Sequence, residues 1–291
     1  MLARLKSKAA QSGRTYQLCL QLFCQEEFLR RLQCSPYAEN MVLKGGLFLY
    51  ALTQFESRAT VDVDFLLRNI PNTPEKLSAV LQEIIQADMG NDFITLELTH
   101  VGEISVTKKY AGITATLVAR VKHTRTVFSV DFGVGDVIIP QQERREIPTQ
   151  LDGFAPPVVN TYSVETTIAE KLDAILHLKA FSSRMKDYYD IYYLANKFDF
   201  DGATLCEALR KTFANRERNY TAADFAQVTA LADDADMHKK WAAFLKKIQA
   251  PVMAFEDVLA VMNVFLGGVF LAAVEGDLYD GRWVARDGRW E

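Results

Sequence analysis

Two aspartates one residue apart, Asp62 and Asp64 in RATVDVDFLL, are the side chains in this sequence best placed to do chemistry. Read as a strand, Thr60, Asp62, Asp64 and Leu66 point to one side, and Val61, Val63, Phe65 and Leu67 to the other. One face is then core and the other carries two carboxylates, roughly 6.5 to 7 Å apart along the backbone. That is close enough to share a divalent cation or a metal pair roughly 3.5 to 4 Å apart, and two like charges so close are costly without a cation. Upstream, Lys44-Gly45-Gly46 precedes a short apolar helix expected over 47–54. Glycines let backbone amides approach a ligand, and a helix N-terminus offers unpaired N–H groups and a positive dipole end, so the natural guest is phosphate. Arg58 and Thr60 lie just ahead of Asp62, where Arg58 suits either a phosphate or an acid in the turn.

A third acid repeats the pattern. In TVFSVDF, Val127, Ser129 and Asp131 share one face and Phe128, Val130 and Phe132 the other, so Asp131 is the expected third carboxylate, with Asp136 as its substitute. Further on, Ser163 is a plausible N-cap for a helix over 163–178 whose stripe reads Val164, Ile168, Lys171, Ile175, Leu178. A lysine in such a stripe either snorkels to the surface or holds its ammonium against a polyphosphate or a carboxylate cluster. Glu170 points elsewhere and is expected to be structural. In SRMKDYYDIYYL, Asp187, Asp190, Ile191 and Leu194 fall on one side of a helix, while Lys186 and Asp190 could form an ordinary i,i+4 pair. Arg184, Lys186 and Asp187 at the helix start combine a basic contact with an acid.

The elements that position these residues follow from periodicity. A helix over 15–32 has Leu18, Leu22, Leu29 and Leu32 near one face, with Glu26, Glu27, Arg30 and Arg31 expected off it. Asn72-Thr73-Pro74 starts another, with a stripe of Leu77, Val80, Leu81, Ile84 and Ile85. From 93 to 132 the period changes to 2 in ITLEL, GEISV, GITATLVARV and TVFSVDF, which predicts strands of one antiparallel or mixed sheet. Residues 140–157 are polar and proline-rich and read as a boundary, and beyond them the chain is helical. The expected architecture is therefore α+β, with domains over 1–157 and 158–291.

Composition narrows the function classes. With 291 residues, 49% hydrophobic and 24% charged, the chain is long enough for a large core and two domains. A net charge of -4 gives no overall drive toward nucleic acid, which leaves Arg210, Lys211, Arg216 and Arg218 as a local basic cluster. The cysteines Cys19, Cys24, Cys34 and Cys206 lack ligand spacing and read as buried free thiols of a reducing compartment, so a cytoplasmic location is expected. The basic N-terminal stretch has no apolar core of an export signal. Residues 258–274 read as a buried helix, broken at Gly267-Gly268, rather than a membrane span. The repeated DGRW near the end marks a turn at Asp287-Gly288. None of the histidines His100, His123, His177 and His238 forms a ligand pair or lies beside a nucleophile, which argues against a zinc hydrolase or a serine-type triad.

Taken in order, LKGG, RxTxDxD (Arg58, Thr60, Asp62, Asp64), VDF (Asp131), AEKLDAIL (Lys171) and RxKDxxD (Arg184, Lys186, Asp187, Asp190) resemble the AbiEii/AbiGii-type nucleotidyltransferase toxins of bacterial abortive-infection toxin-antitoxin systems. These belong to the polymerase-beta-like nucleotidyltransferase superfamily, and the resemblance spans about residues 14–195. It implies a mixed-sheet nucleotidyltransferase domain followed by a helical domain with the active cleft between them. It also implies that Gly45 and Gly46 cradle a triphosphate, that Asp62 and Asp64 hold Mg2+, and that Lys171 lies near the nucleotide with Asp187 completing the site. The implied substrates are a nucleoside triphosphate and an RNA acceptor such as tRNA, and the implied partner is a cognate antitoxin. Where many superfamily members have Gly-Ser, this chain has Gly45-Gly46, so a phosphate contact must come from backbone amides or Thr60. Two other readings stay open: a nucleotide-binding regulatory protein without turnover, and a small-molecule nucleotidyltransferase of the antibiotic-modifying kind.

Overall fold

The computed structural model describes residues 1–90, 93–104, 112–181 and 183–291. In chain order the elements are α1 (Leu2–Ser12), α2 (Tyr16–Cys34), β1 (Met41–Lys44), α3 (Gly45–Leu52), β2 (Val63–Leu67), α4 (Pro74–Ile85), β3 (Thr95–Ile104), β4 (Gly112–Val121), β5 (Thr124–Gly133), β6 (Glu143–Glu146) and β7 (Val158–Thr161). They continue with α5 (Val164–Leu178), α6 (Met185–Lys197), β8 (Phe200–Asp201), α7 (Gly202–Asn215), α8 (Ala222–Thr229), α9 (Ala235–Ile248), α10 (Phe255–Glu275), β9 (Arg282–Val284) and β10 (Arg289–Trp290). The chain divides into two compact units. Unit 1 comprises Met1–Gly135 and Gln142–Tyr162; unit 2 comprises Asp136–Gln141 and Ser163–Glu291.

Unit 1 is built on a seven-stranded sheet in the order β3-β4-β5-β2-β1-β7-β6. It is mixed, because β2 runs parallel to β5 and β1 parallel to β7 while the other pairs are antiparallel. The alternation in β5 holds: Phe128, Val130 and Phe132 are buried, Val127 and Ser129 are exposed, and Asp131 is half-buried. ITLEL and the start of GEISV form one bulged strand, β3, rather than two; Ser105 and Val106 of GEISV lie outside the described residues. Residues 140–157, expected as a boundary stretch, include β6, an edge strand whose Glu143-Arg144-Arg145-Glu146 pairs with β7. An all-polar edge strand carries no apolar signal, and charged edges oppose further strand pairing.

The largest correction concerns α2. Its Glu26, Glu27, Arg30 and Arg31 are buried at 4%, 0%, 6% and 8% exposure, not turned to solvent. They are tolerated because they pair with one another, Arg30 contacting Glu26 at 3.3 Å and Glu27 at 3.1 Å, and Arg31 contacting Glu27 at 3.4 Å. They also satisfy backbone: Arg30 Nε donates to the Ala155 carbonyl, Arg31 to the Ile85 and Ile94 carbonyls, and Glu26 accepts from the Gln150 N–H.

Unit 2 is mainly helical, with a three-stranded sheet in the order β10-β9-β8 that the helical expectation missed. The DGRW copies supply two of its strands, β9 and β10, and Gly288 turns the chain between them with φ 62°. Trp283 and Trp290 anchor it by donating to the Ala195 and Phe265 carbonyls. Contrary to expectation, α10 runs unbroken through Gly267-Gly268. It is long and apolar enough to cross a membrane by length and composition, and half of its most apolar window is buried inside the structure. Cys19, Cys24 and Cys206 are buried free thiols, but Cys34, at the end of α2, is exposed.

Candidate active site

In unit 1 the sheet register gathers the chemistry. Asp64 on β2 is paired with Asp131 on the parallel β5, and on its other side with Lys44 on β1. Directly paired residues project to the same face, with strands about 4.8 Å apart. Lys44, Asp64 and Asp131 therefore form one rung of charges on one side of the sheet, all half-buried. The opposite side is core, where Phe65 stacks on Phe132 at 6.0 Å and meets Phe28 of α2 at 6.3 Å.

α3 begins on this rung, two residues earlier than the 47–54 expectation, because the glycines themselves start it. Gly45 has φ +69°, and a Cβ there would lie 2.2 Å from Asp64 Oδ2; a Cβ on Gly46 would lie 2.8 Å from Thr60 Oγ1. The glycine pair thus lets the helix start rest directly on Asp64 and Thr60. Thr60 is buried, and its Oγ1 accepts from the Asp62 N–H at 3.3 Å. Asp62 itself lies ahead of β2 and is exposed, and Val61, expected in the core, is 42% exposed. The strand is shorter than the alternation suggested because Gln25 Nε2, on α2, takes the Val61 carbonyl at 2.7 Å. Arg58 is half-buried in the stretch between α3 and β2.

In unit 2, Lys171 is buried in the stripe expected of it, and its ammonium reaches Asp187 Oδ1 at 3.0 Å and Asp190 Oδ2 at 2.6 Å. Arg184 Nε donates to Asp187 Oδ2 at 2.5 Å. Burial opposes the charge on Asp187, but the Lys171 ammonium and the Arg184 guanidinium outweigh it, and the carboxyl is held below its ordinary value. Arg184 is exposed and Lys186 half-buried at the start of α6.

The substitute acid Asp136 is engaged elsewhere. It contacts Arg216 at 3.1 Å, and Arg216 also reaches Glu170 at 3.4 Å and Asp173 at 2.9 Å. Asp173 is 2% exposed and accepts from Arg218 and the Tyr220 hydroxyl as well. Burial works against the Arg216 charge, yet Glu170, Asp136 and Asp173 raise its pKa above the ordinary value. In the local basic cluster Arg216 and Arg218 are thus engaged by acids inside unit 2, where the more exposed Arg210 and Lys211 also meet Glu207. Asp173 carried no spacing signal, being a single acid two residues after Lys171.

A family described as nucleotidyl transferase AbiEii toxin of type IV toxin-antitoxin systems matches residues 27–261. The chain belongs to the AbiEii nucleotidyltransferase toxin family. Among curated proteins, no sequence matches it. Among solved structures it is similar to MenT4, a nucleotidyltransferase toxin of Mycobacterium tuberculosis H37Rv, with 18% identity, TM-score 0.56, and coverage of 90% of this chain and 99% of that one. It is also similar to JHP933 of Helicobacter pylori, with 17% identity, TM-score 0.50, and coverage of 90% and 94%. At these identities the structures support the fold, which agrees with the α+β expectation, and family membership supplies the activity. As an AbiEii toxin the protein is a nucleotidyltransferase with a nucleoside triphosphate substrate and an antitoxin partner.

The donor chemistry of the charged rung fits Mg2+. Asp64 and Asp131 are hard oxygen donors held side by side, and Mg2+ is commonly bound by one or two carboxylates together with water and substrate phosphates. Among the described residues no three His, Cys, Asp or Glu side chains gather as a metal-binding group, so Asp62 stands apart from the adjacent pair. Lys44 and Gln25 are additions to the residues expected from sequence. A lysine before two glycines was visible as a motif, whereas a glutamine inside an apolar helix gave no signal.

Proposed function

We propose that the protein is a magnesium-dependent toxin that transfers a nucleoside monophosphate from a nucleoside triphosphate to an RNA acceptor, tRNA being the favoured class, in the bacterial cytoplasm as part of abortive infection against phage. The observation that carries this reading is the Asp64–Asp131 pair set against the glycine-opened start of α3. A carboxylate pair beside unpaired helix N–H groups suits a phosphate-bearing substrate brought with a cation.

In this reading Asp64 and Asp131 would hold Mg2+, and Asp62, which stands apart from them in this structure, would turn in as a third donor; Mg2+ when bound activates the attacking oxygen and offsets charge on the leaving pyrophosphate. The Gly45 and Gly46 amides and Thr60 receive the triphosphate, with Arg58 as a further phosphate contact. The acceptor hydroxyl oxygen bonds to the α-phosphorus, the bond to the bridging oxygen of pyrophosphate breaks, and the hydroxyl proton passes to a carboxylate. From unit 2, Lys171 and Asp187 are the proposed catalytic residues. The Asp187 and Asp190 contacts hold the Lys171 ammonium in one position, and fixed charge costs no reorganisation during reaction. Arg184 and Lys186 supply basic contacts at the start of α6.

The test incubates the purified protein with each α-labelled nucleoside triphosphate, Mg2+ and total cellular RNA, and separates RNA from protein. Label in RNA that disappears with chelation, and with Asp62→Ala, Asp64→Ala or Asp131→Ala, is the expected result. Label in an added antibiotic, or triphosphate binding with no transfer, would replace this reading.

A further inference from the structure

Among the described residues Lys44 is the one cation on the carboxylate rung, and nothing in the transfer reaction so far uses it. It stands opposite Asp64 in the β1–β2 register, and Asp64 stands opposite Asp131. Its Nζ lies 3.2 Å from the Tyr162 hydroxyl and 5.0 Å from the centre of the same ring. Tyr162 is 1% exposed and follows β7 directly, with its N–H donating to the Leu43 carbonyl, so it is a rigid support. A lysine held by both a hydroxyl and an aromatic face has lost much of the freedom its long stem otherwise keeps. The next residue, Gly45, touches the Asp64 carboxylate, which brings the lysine backbone, the helix start and the acid into one corner.

We propose that Lys44 is a positioning residue: a fixed positive charge, set by Tyr162, that stabilises the Asp64–Asp131 pair in the absence of a divalent ion and limits how tightly the pair binds one. The charge count explains the use of such a residue. On the rung itself two carboxylates and one ammonium sum to one net negative charge, against two without Lys44, so the lysine weakens the hold on a divalent ion and eases its release once pyrophosphate leaves. The same ammonium attracts the triphosphate, so it acts with opposite sign on the two ligands. This proposal rests on the cation-binding reading of Asp64 and Asp131.

The test measures Mn2+ binding by electron paramagnetic resonance, without nucleotide, in the parent, Lys44→Gln, Lys44→Met, Lys44→Arg and Asp64→Asn, with folding checked by circular dichroism. Removing one unit charge at neighbouring-strand distance from a divalent ion in a largely aqueous dielectric predicts about tenfold tighter Mn2+ binding in Lys44→Gln. Lys44→Met, which keeps an unbranched stem against the Tyr162 ring, is expected to show the same gain, and Lys44→Arg to match the parent. Binding of triphosphate alone is expected to weaken in both neutral variants. No Mn2+ binding in the parent and in the neutral Lys44 variants alike, or binding that Asp64→Asn leaves unchanged, overturns the underlying reading of the carboxylate pair. A parent whose Mn2+ binding depends on Asp64, alongside neutral Lys44 variants with unchanged or weaker Mn2+ binding, overturns the role of Lys44 alone.

Discussion

Glu26 shows how far burial can move one side chain. It is 4% exposed on α2, and burial pushes its carboxyl up to about 8, against the Arg30 guanidinium and the Gln150 N–H that favour the charged form. The 3.3 Å contact to Arg30 does not reverse this, since Arg30 is shared with Glu27 and the Ala155 carbonyl. An unfolded glutamate titrates near its ordinary 4.5. Between these values the unfolded chain releases a proton that the folded chain keeps, so the stability contributed by Glu26 is complete below about 4.5, falls as pH rises, and is lost above about 8. Glu26→Gln retains an oxygen for the Gln150 N–H and cannot ionise. Its urea midpoint is expected to vary less than the parent's between about pH 5 and about pH 8, and equal slopes for the two proteins would refute the assignment.

At the scale of elements, the site depends on where α3 starts. Gly45→Ala must place a Cβ at φ +69° and 2.2 Å from Asp64 Oδ2, so the helix start or the carboxylate has to move. The backbone term alone costs about 1 kcal/mol, and label transfer is expected to fall by more than that loss of stability explains. Gly46→Ala meets the Thr60 side chain at 2.8 Å, which can turn aside, and is expected to be milder. Transfer rates and melting temperatures of the two variants check this ranking, and a milder effect at Gly45 would contradict it. The same scale explains what was readable in the sequence. β5 announces itself because one face is buried and the other is not, which placed Asp131 correctly, and the apolar stripe of α5 placed Lys171 although that helix is buried nearly all round. α2 is buried on every side, so periodicity misassigned its charges, and β6, β9 and β10 are too short or too polar to alternate visibly. The Asp64–Asp131 adjacency depends on a parallel pairing between segments about sixty residues apart, which no local pattern encodes.

For the whole molecule, the two units carry opposite responses to pH. Unit 1 contains Glu26, whose contribution weakens as pH rises toward about 8. Unit 2 contains Asp187, fully buried, with its carboxyl held below 3.8 once Lys171 and Arg184 have outweighed the cost of burial. A depressed carboxyl contributes stability that is present above the unfolded value of 3.8 and lost as pH falls through the folded value, so unit 2 weakens in acid. Lys171→Met removes the ammonium from between Asp187 and Asp190 and leaves buried negative charge, a change that costs about 3–5 kcal/mol. Hydrogen exchange followed by mass spectrometry separates the units without requiring separate melting transitions. At neutral pH, Lys171→Met is expected to lower protection in α5 and α6 while leaving β2 and β5 close to the parent. Moving the parent from about pH 5 to about pH 3 is expected to reduce protection in the same helices first, after correction for intrinsic exchange. Equal loss in β2 and β5 would mean that the Lys171 cluster supports the whole chain rather than unit 2, and a loss of label transfer in Lys171→Met could then not be read as catalytic.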